Sequence, residues 1–161
     1  MTPAIGSAAP DFELTWRVGE PAIRRSAWQE GRPLVLLFYP LAFSPVCTDE
    51  LCAVRDDGAQ WSELDARILG VSVDSPWVNS RFADELGIDF PLLSDFNREV
   101  ASAYGVLNDD YWGMRGVSDR AAFVIDASGT VVWAWHSPDD AVLPDFEAIR
   151  AAVAEASEPA R

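Results

Sequence analysis

The sequence contains no lysine, and all twelve of its basic residues are arginine. Against 26 aspartates and glutamates, this leaves a formal net charge of −14 at pH 7. Nucleic acids and anionic membrane surfaces are bound through basic patches, so we predict that the chain binds neither. Two origins of the composition stay open. One is a cytosol of high salt, in which ions screen the repulsion between carboxylates, and the other is a codon-biased genome.

Cysteine and histidine are also scarce, with only Cys47, Cys52 and His136 in 161 residues. Two cysteines so close in sequence do not make the disulfide framework of a small secreted protein, so we interpret them as thiols that function inside the cell. A single histidine cannot anchor a metal site alone. We therefore expect a cytoplasmic protein that has neither a metal nor a cofactor.

Long apolar stretches are absent as well. The longest run, Leu34 to Tyr39, has six residues, whereas a membrane-spanning helix needs roughly 20. Residues 1–5 lack the charged and then apolar pattern of a signal peptide. There are no repeats, low-complexity blocks or internal linkers, so we predict one soluble domain over residues 1–161, with a flexible tail at 157–161.

Strand and helix patterns alternate along the chain. Residues 11–24 alternate polar and apolar side chains around a Gly-Pro turn, which predicts an edge hairpin. Buried strands are indicated by apolar runs at 34–39, 67–73 and 121–126, the last followed by a turn and an antiparallel partner at 130–135. Helical composition, with start or stop signals, occurs at 45–64, 77–86, 97–104 and 144–156. This order predicts an α/β sandwich with a mixed sheet.

Cys47 falls in the first turn of a predicted helix, directly after a buried strand and a proline-rich loop. Helix N-termini carry unpaired N–H groups and a partial positive charge, and both favour a thiolate over a thiol. Cys47 is therefore a candidate nucleophile. The alternative is an unreactive core thiol, which has no need of a helix start beside proline and hydroxyl residues.

The segment around Cys47 resembles the active-site signature of the peroxiredoxins: proline, three residues, Thr or Ser, two residues, cysteine. It reads Pro40-Leu41-Ala42-Phe43-Ser44-Pro45-Val46-Cys47. Further likeness follows in family order at 6–12, 70–75, 90–95 and 120–126. The chain looks most similar to the bacterioferritin-comigratory and alkyl hydroperoxide reductase E branches, although serine stands at 44 where threonine is usual. The resemblance implies a thioredoxin-like three-layer sandwich with an N-terminal hairpin and a mixed central sheet.

By this resemblance, the protein is a thiol-specific peroxidase that reduces hydrogen peroxide and organic hydroperoxides through a sulfenic acid on Cys47. Ser44 is expected to hydrogen-bond the peroxide and Pro40 to shield the pocket from water. Arg120 is expected to stabilise the thiolate and the departing oxygen; Arg115 is a rival, but only Arg120 directly precedes an apolar strand. A thioredoxin-like dithiol protein is expected to recycle the enzyme, which is a monomer or a homodimer.

Cys52 has two interpretations. Positions five apart on an ideal helix lie roughly 8.6 Å apart between Cα atoms, beyond the roughly 7 Å limit for a disulfide, so a bond to Cys47 requires unwinding. Relatives in the bacterioferritin-comigratory branch resolve the sulfenic acid in this way, and the resemblance implies the same here; the alternative is a packing role in a one-cysteine enzyme. Glu50, three residues after Cys47 on the same helix, could orient water or the reductant near the pocket, but we interpret it as an acid that complements the helix dipole.

The main rival function is a thioredoxin-fold copper-binding module or chaperone, in which Cys47, Cys52 and His136 ligate the metal. Such proteins usually separate their cysteines by three residues, and they have no use for Ser44 and Arg120. A disulfide oxidoreductase is disfavoured because the sequence has no Cys-x-x-Cys motif. We therefore predict a peroxiredoxin.

Overall fold

The computed structural model describes residues 1–157, and residues 158–161 of the predicted flexible tail lie outside the described part. The strands are β1 (Glu13–Leu14), β2 (Ile23–Arg24), β3 (Leu34–Phe38), β4 (Arg67–Ser72), β5 (Leu92–Ser94), β6 (Leu107–Asn108), β7 (Val117–Ser118), β8 (Arg120–Ile125) and β9 (Val131–Ser137). The helices are α1 (Arg25–Gln29), α2 (Pro45–Asp56), α3 (Gly58–Glu63), α4 (Pro76–Leu86), α5 (Glu99–Ala103) and α6 (Phe146–Ala156). Within these residues, no helix is long and apolar enough to cross a bilayer.

Five strands form the central sheet in the order β5-β4-β3-β8-β9. Strands β3, β4 and β5 are parallel to one another, whereas β8 runs antiparallel to both of its neighbours, β3 and β9. Every residue of β3 and β8 is buried, which explains why their sequences are nearly continuous apolar runs. The predicted α/β class with a mixed sheet is confirmed.

Side chains of β3 alternate between two hydrophobic clusters, one on each face of the sheet. Leu36 belongs to the first cluster, which also contains residues of the N-terminal segment and of α5. Val35 and Leu37 belong to the second cluster, with residues of α2, α3, α4 and α6. The sheet is therefore covered on both faces, and Cys47 lies in the second cluster.

The N-terminal hairpin is present as a separate two-stranded sheet, in which β1 and β2 pair antiparallel. Phe12 and Ile23 from this region are buried in the first cluster. The predicted hairpin is therefore present, but its buried side chains attach it to one face of the central sheet and it is not an edge of that sheet.

The register between β3 and β8 brings distant side chains to one end of the sheet. Phe38, the last residue of β3, lies opposite Ala121. Arg120 therefore lies beside the chain as it leaves β3 and enters the loop that leads to α2. This carboxyl end of a parallel strand is where open α/β sheets usually bind their ligands.

The segment 45–64, predicted as one helix, forms two helices that meet at Asp57. Asp57 has φ −89° and ψ 15°, and Gly58 follows it, a residue with poor helix propensity. The indole N–H of Trp61 donates to a carbonyl in the last turn of α2 at 3.2 Å. Arg150 of α6 donates to the Asp57 carboxylate at 2.8 Å. Tertiary contacts thus stabilise a break that the sequence pattern did not predict.

Strands β6 and β7 are also absent from the sequence-based prediction. They pair antiparallel and have two residues each, too few to show a periodic pattern. Residues 109–116 connect them and are called the 109–116 loop below. Tyr111 and Met114 close this loop through two backbone hydrogen bonds of 2.9 Å.

Candidate active site

Cys47 is the third residue of α2, and its side chain is fully buried. Ser44 precedes the helix in an extended conformation, and Pro45 occupies the first position, where a missing N–H costs no helical hydrogen bond. The first hydrogen bond of the helix runs from the Thr48 N–H to the Ser44 carbonyl at 3.0 Å. The amides of Val46 and Cys47 therefore precede the helical ladder, and together with the helix dipole they stabilise a thiolate.

Arg120 contacts this sulfur directly. Its Nη2 donates to Cys47 Sγ at 3.3 Å, although 73 positions separate the two residues in sequence, and its side chain is fully buried. Burial by itself lowers the pKa of Arg120, but the negative charges of Glu50 and Cys47 outweigh burial, and the pKa lies above its ordinary value. The site thus contains a permanent, desolvated cation beside the thiol, which favours the thiolate.

Glu50 is a part of the site whose role the sequence interpretation got wrong. It is the sixth residue of α2, beyond the first turn, and it is fully buried. One carboxylate oxygen, Oε1, lies 3.5 Å from Arg120 Nη1, and within residues 1–157 neither carboxylate oxygen has a hydrogen-bond partner. Burial raises the pKa of Glu50 to about 7, against the attraction of Arg120. The spacing of three residues, which places Glu50 and Cys47 on one helix face, was the signal for this contact.

Asp140, in the loop of residues 138–145 between β9 and α6, contacts Arg120, and Tyr111 contacts Asp140 in turn. The Asp140 carbonyl accepts hydrogen bonds from Arg120 Nη2 at 3.1 Å and from its Nε at 3.3 Å. The Asp140 carboxylate accepts a hydrogen bond from the Tyr111 hydroxyl at 2.6 Å. Both residues lie in irregular segments, so no periodic pattern in the sequence could indicate that Asp140 meets Arg120 or that Tyr111 meets Asp140.

The other predicted site residues lie in the loop between β3 and α2. Pro40 is buried and Ser44 is half-buried. The Ser44 hydroxyl donates to the Leu41 carbonyl at 3.1 Å. Phe43 has a φ of 69°, a conformation that is sparsely populated by residues other than glycine and is often found at functional sites.

Comparison with known proteins places this site in a family. The model of the AhpC/TSA family matches residues 5–134. The chain belongs to the AhpC/TSA family. Peroxiredoxin Bcp of Bacillus subtilis is 36% identical over 142 residues, which cover 84% of this chain and 87% of the relative. Alkyl hydroperoxide reductase E of Mycobacterium tuberculosis is 34% identical over 132 residues, which cover 81% and 83%. The predicted peroxiredoxin class and its two branches are confirmed.

Solved structures agree with this assignment. Peroxidoxin BcpB from Mycobacterium tuberculosis aligns with a TM-score of 0.80 and 31% identity, over 92% of this chain and 95% of the other. The bacterioferritin comigratory protein of Xanthomonas campestris aligns with a TM-score of 0.76 and 27% identity, over 91% and 92%. The thioredoxin-like peroxiredoxin fold is therefore confirmed.

In this peroxiredoxin, the structure brings together Cys47 and Arg120. Arg115, the rival cation, is exposed in the 109–116 loop. Cys52 is half-buried, and both cysteines are free thiols. They lie on one unbroken helix, α2. In this conformation of the reduced protein, the two cysteines are too far apart to form a disulfide.

The copper-binding alternative has no support in these comparisons. Nε2 of His136 lies 2.5 Å from Oδ2 of Asp119, and the other oxygen of Asp119 accepts a hydrogen bond from Asn108 at 2.6 Å. Across residues 1–157, no group of three or more His, Cys, Asp or Glu side chains is placed to hold a metal ion. His136 is therefore accounted for by its contact with Asp119.

Proposed function

We propose that this peroxiredoxin reduces hydrogen peroxide and organic hydroperoxides by direct attack of the Cys47 thiolate. The sulfur attacks one peroxide oxygen, so that an S–O bond forms as the O–O bond breaks. Cys47 becomes a sulfenic acid, and the departing oxygen leaves as water or an alcohol after it gains a proton. The observation that carries the proposal is the fully buried contact of 3.3 Å between Cys47 Sγ and Arg120 Nη2.

The surrounding groups suit the charge changes of this reaction. The amides of Val46 and Cys47, together with Arg120, supply fixed donors where negative charge develops on the departing oxygen. The Ser44 hydroxyl donates a hydrogen bond to the Leu41 carbonyl. Its oxygen keeps lone pairs that can accept a hydrogen bond from the hydroperoxide O–H. Buried Pro40 presents no N–H and helps to keep water from the thiolate.

We further propose that Cys52 resolves the oxidised enzyme. Its thiol attacks the Cys47 sulfenic acid, which forms a disulfide and releases water. A thioredoxin-like dithiol protein then exchanges with the disulfide: both cysteines are reduced, and the partner's dithiol is oxidised to a disulfide. The partial exposure of Cys52 supports this role. A one-cysteine cycle, in which an external thiol attacks the sulfenic acid, is the competing mechanism.

Location and assembly are proposed on chemical grounds. A cycle that returns both cysteines to free thiols suits a reducing compartment such as the cytoplasm. The chain is proposed to act as one domain, either as a monomer or as a homodimer. Size-exclusion chromatography with light scattering on the reduced and oxidised protein distinguishes the two states.

The first test is intact-mass spectrometry of the reduced protein after one equivalent of hydrogen peroxide. Samples are quenched at short times with a sulfenic-acid trap and a thiol alkylator. We expect a transient adduct on Cys47 that gives way to a disulfide between Cys47 and Cys52. Cys47→Ser is expected to abolish peroxide consumption, whereas Cys52→Ser is expected to retain the first oxidation and accumulate the sulfenic acid.

Each outcome decides a separate part of the proposal. Peroxide consumption by Cys47→Ser at the wild-type rate would show that Cys47 is not the nucleophile. A lasting sulfenic acid in the wild-type protein, with Cys52 still open to alkylation, would establish the one-cysteine cycle instead.

A further inference from the structure

Besides Cys47, Arg120 contacts the Asp140 carbonyl and the Glu50 carboxylate, and the carbonyl accepts its hydrogen bonds. Two of its nitrogens, Nε and Nη2, donate to the main-chain oxygen of Asp140, and Nη2 is also the donor to Cys47. The third nitrogen, Nη1, has no hydrogen-bond partner among residues 1–157 and faces Glu50 Oε1 at 3.5 Å. Because the hydrogen bonds of the guanidinium on this side go to the Asp140 carbonyl, the position of that carbonyl helps to set where the guanidinium lies relative to the sulfur.

Asp140 is itself held by Tyr111. The Tyr111 hydroxyl donates to the Asp140 carboxylate at 2.6 Å, and Tyr111 is buried. Burial and the adjacent Asp140 carboxylate raise the pKa of Tyr111 well above its usual range, so the hydroxyl keeps its proton and remains a donor at neutral pH. Asp140 thus accepts a hydrogen bond from Tyr111 with its side-chain carboxylate and hydrogen bonds from Arg120 with its main-chain carbonyl.

The remaining hydrogen bonds near Asp140 are local to its own loop. Ser137 exchanges hydrogen bonds with Asp139, and the amides of Ala141 and Val142 donate to Asp139. These bonds shape the turn, and among residues 1–157 they link it only to the end of β9, the strand that leads into it. The Tyr111 hydroxyl attaches it to the 109–116 loop, which is closed by the two backbone bonds between Tyr111 and Met114.

We propose that Tyr111 and Asp140 are positioning residues that hold the Arg120 guanidinium against the Cys47 sulfur. The inference rests on the proposed function, because it assigns a purpose to the contact between Arg120 and Cys47. Neither residue touches the reacting atoms. Their role is to keep a buried cation in the one place where it stabilises the thiolate and the departing oxygen, since small displacements of such groups cost rate steeply.

The decisive variant is Tyr111→Phe, which removes only the hydroxyl. Its matched control is Tyr104→Phe, which removes a buried hydroxyl that donates to the Pro10 carbonyl at 2.6 Å in the opposite cluster. Two quantities are measured: the rate constant for oxidation of reduced Cys47 by hydrogen peroxide, and the pH profile of Cys47 alkylation by a neutral reagent. Fragment-ion mass spectrometry separates alkylation at Cys47 from alkylation at Cys52.

We expect Tyr111→Phe to oxidise about tenfold more slowly, the effect of losing a hydrogen bond to a charged group. Its alkylation profile is expected to move upward by as much as about one pH unit, because a displaced Arg120 stabilises the thiolate less. Tyr104→Phe is expected to match the wild type in both measurements. If the substitution only destabilised the local packing, Cys47 would become more exposed and its alkylation would be faster at every pH, but the midpoint of the pH profile would not change.

The Asp140 variants supply the second test. Asp140→Asn keeps an oxygen that accepts the Tyr111 hydroxyl and is expected to remain within about threefold of the wild-type rate, whereas Asp140→Ala is expected to match Tyr111→Phe. The double variant Tyr111→Phe/Asp140→Ala is expected to be no slower than either single variant, because both remove one contact.

The inference and the proposed function fail in different ways. If the wild-type protein reduces peroxide and Tyr111→Phe keeps both its rate and its alkylation profile, the positioning role is overturned and the peroxidase function stands. If the wild-type protein does not reduce peroxide, the function is wrong. In that case the alkylation profiles alone decide whether Tyr111 positions Arg120.

Discussion

One arginine faces two acidic groups in this site. Arg120 Nη2 donates a hydrogen bond to the Cys47 sulfur, and Arg120 Nη1 lies 3.5 Å from Glu50 Oε1. All three side chains are fully buried, so the charged form of each loses its hydration. In the part of the chain that the structure describes, no hydrogen bond to the Glu50 carboxylate compensates for this loss. The ionised form of Glu50 therefore lowers stability, and burial raises the pKa of Glu50 to about 7.

Replacement of Glu50 by glutamine is expected to change how stability depends on pH. The unfolded carboxyl loses its proton near its ordinary pKa of 4.5, whereas the folded one, with a pKa of about 7, keeps its proton to higher pH. Between these two values the folded state binds more protons than the unfolded state, so the free energy of unfolding falls as the pH rises. Above about pH 7 this loss of stability is complete. The loss is of order 3 kcal/mol, since one pKa unit is worth about 1.4 kcal/mol.

Urea unfolding at several pH values between about 4 and 8 measures this effect. Glu50→Gln is expected to lose less stability than the wild type over that range. The control is Glu147→Gln, which changes an exposed glutamate in the first turn of α6 and is expected to follow the wild-type curve. Parallel curves for the wild type and Glu50→Gln would show that Glu50 ionises in the folded protein as it does in the unfolded chain.

The same residues show how far sequence reasoning reaches at this scale. Cys47 carries a local signal, a helix start after a buried strand, whereas Arg120 was indicated only by the resemblance to the peroxiredoxins. Glu50 was visible on the correct helix face, but its burial depends on which segment covers that face. Tyr111 and Asp140 meet only because two irregular loops fold together, and no local pattern encodes that meeting.

Helix α2 has to change shape if Cys52 is to reach Cys47. Both residues lie within Pro45–Asp56, and their spacing on an ideal helix exceeds the reach of a disulfide. The helix is bounded by irregular geometry on both sides: Phe43 has a positive φ before it, and Asp57 ends it. Ser44, its N-cap residue, makes no side-chain capping hydrogen bond. Unwinding from the first turn therefore breaks few bonds outside the helix itself.

Hydrogen exchange of the reduced and the peroxide-oxidised protein tests this unwinding. We expect the amides in the first two turns of α2 to lose protection by at least about tenfold in the oxidised state. Helix α4, which has Ser75 as a side-chain cap and Gly87 in the left-handed conformation at its end, is the internal control and is expected to keep its protection. An oxidised protein that contains the disulfide and keeps α2 fully protected would contradict the unwinding.

Elements were predictable where burial imposes a pattern. Strands β3, β4 and β8 were found because strands covered on both faces need continuous apolar runs, and α4 was found because its cap and its terminal glycine are local signals. The break between α2 and α3 was missed because it depends on contacts of Trp61 and Arg150 from elsewhere in the fold. The short strands β6 and β7 were missed because two residues show no period.

At the scale of the whole molecule, the net charge of −14 acts against folding. Like charges repel more strongly in the compact state than in the expanded one. Exposed ion pairs offset part of this repulsion, such as Arg17 with Asp84 at 2.6 Å and Arg24 with Glu13 at 2.8 Å. Such pairs are individually weak, and 26 acidic residues outnumber the twelve arginines, so we expect the repulsion to dominate.

The free energy of unfolding is therefore expected to rise as sodium chloride increases from about 0.02 M to about 0.5 M, and then to level off, because the screening length is only about 3 Å at 1 M. Urea, an uncharged denaturant, is used so that it does not change the ionic strength, and sucrose at matched osmolality is the control for exclusion of solute from the surface. A fall in stability with salt would mean that the ion pairs outweigh the net repulsion. A rise that continues through molar salt would favour selection for a salty cytosol, whereas levelling off leaves codon bias as the simpler origin of a chain without lysine.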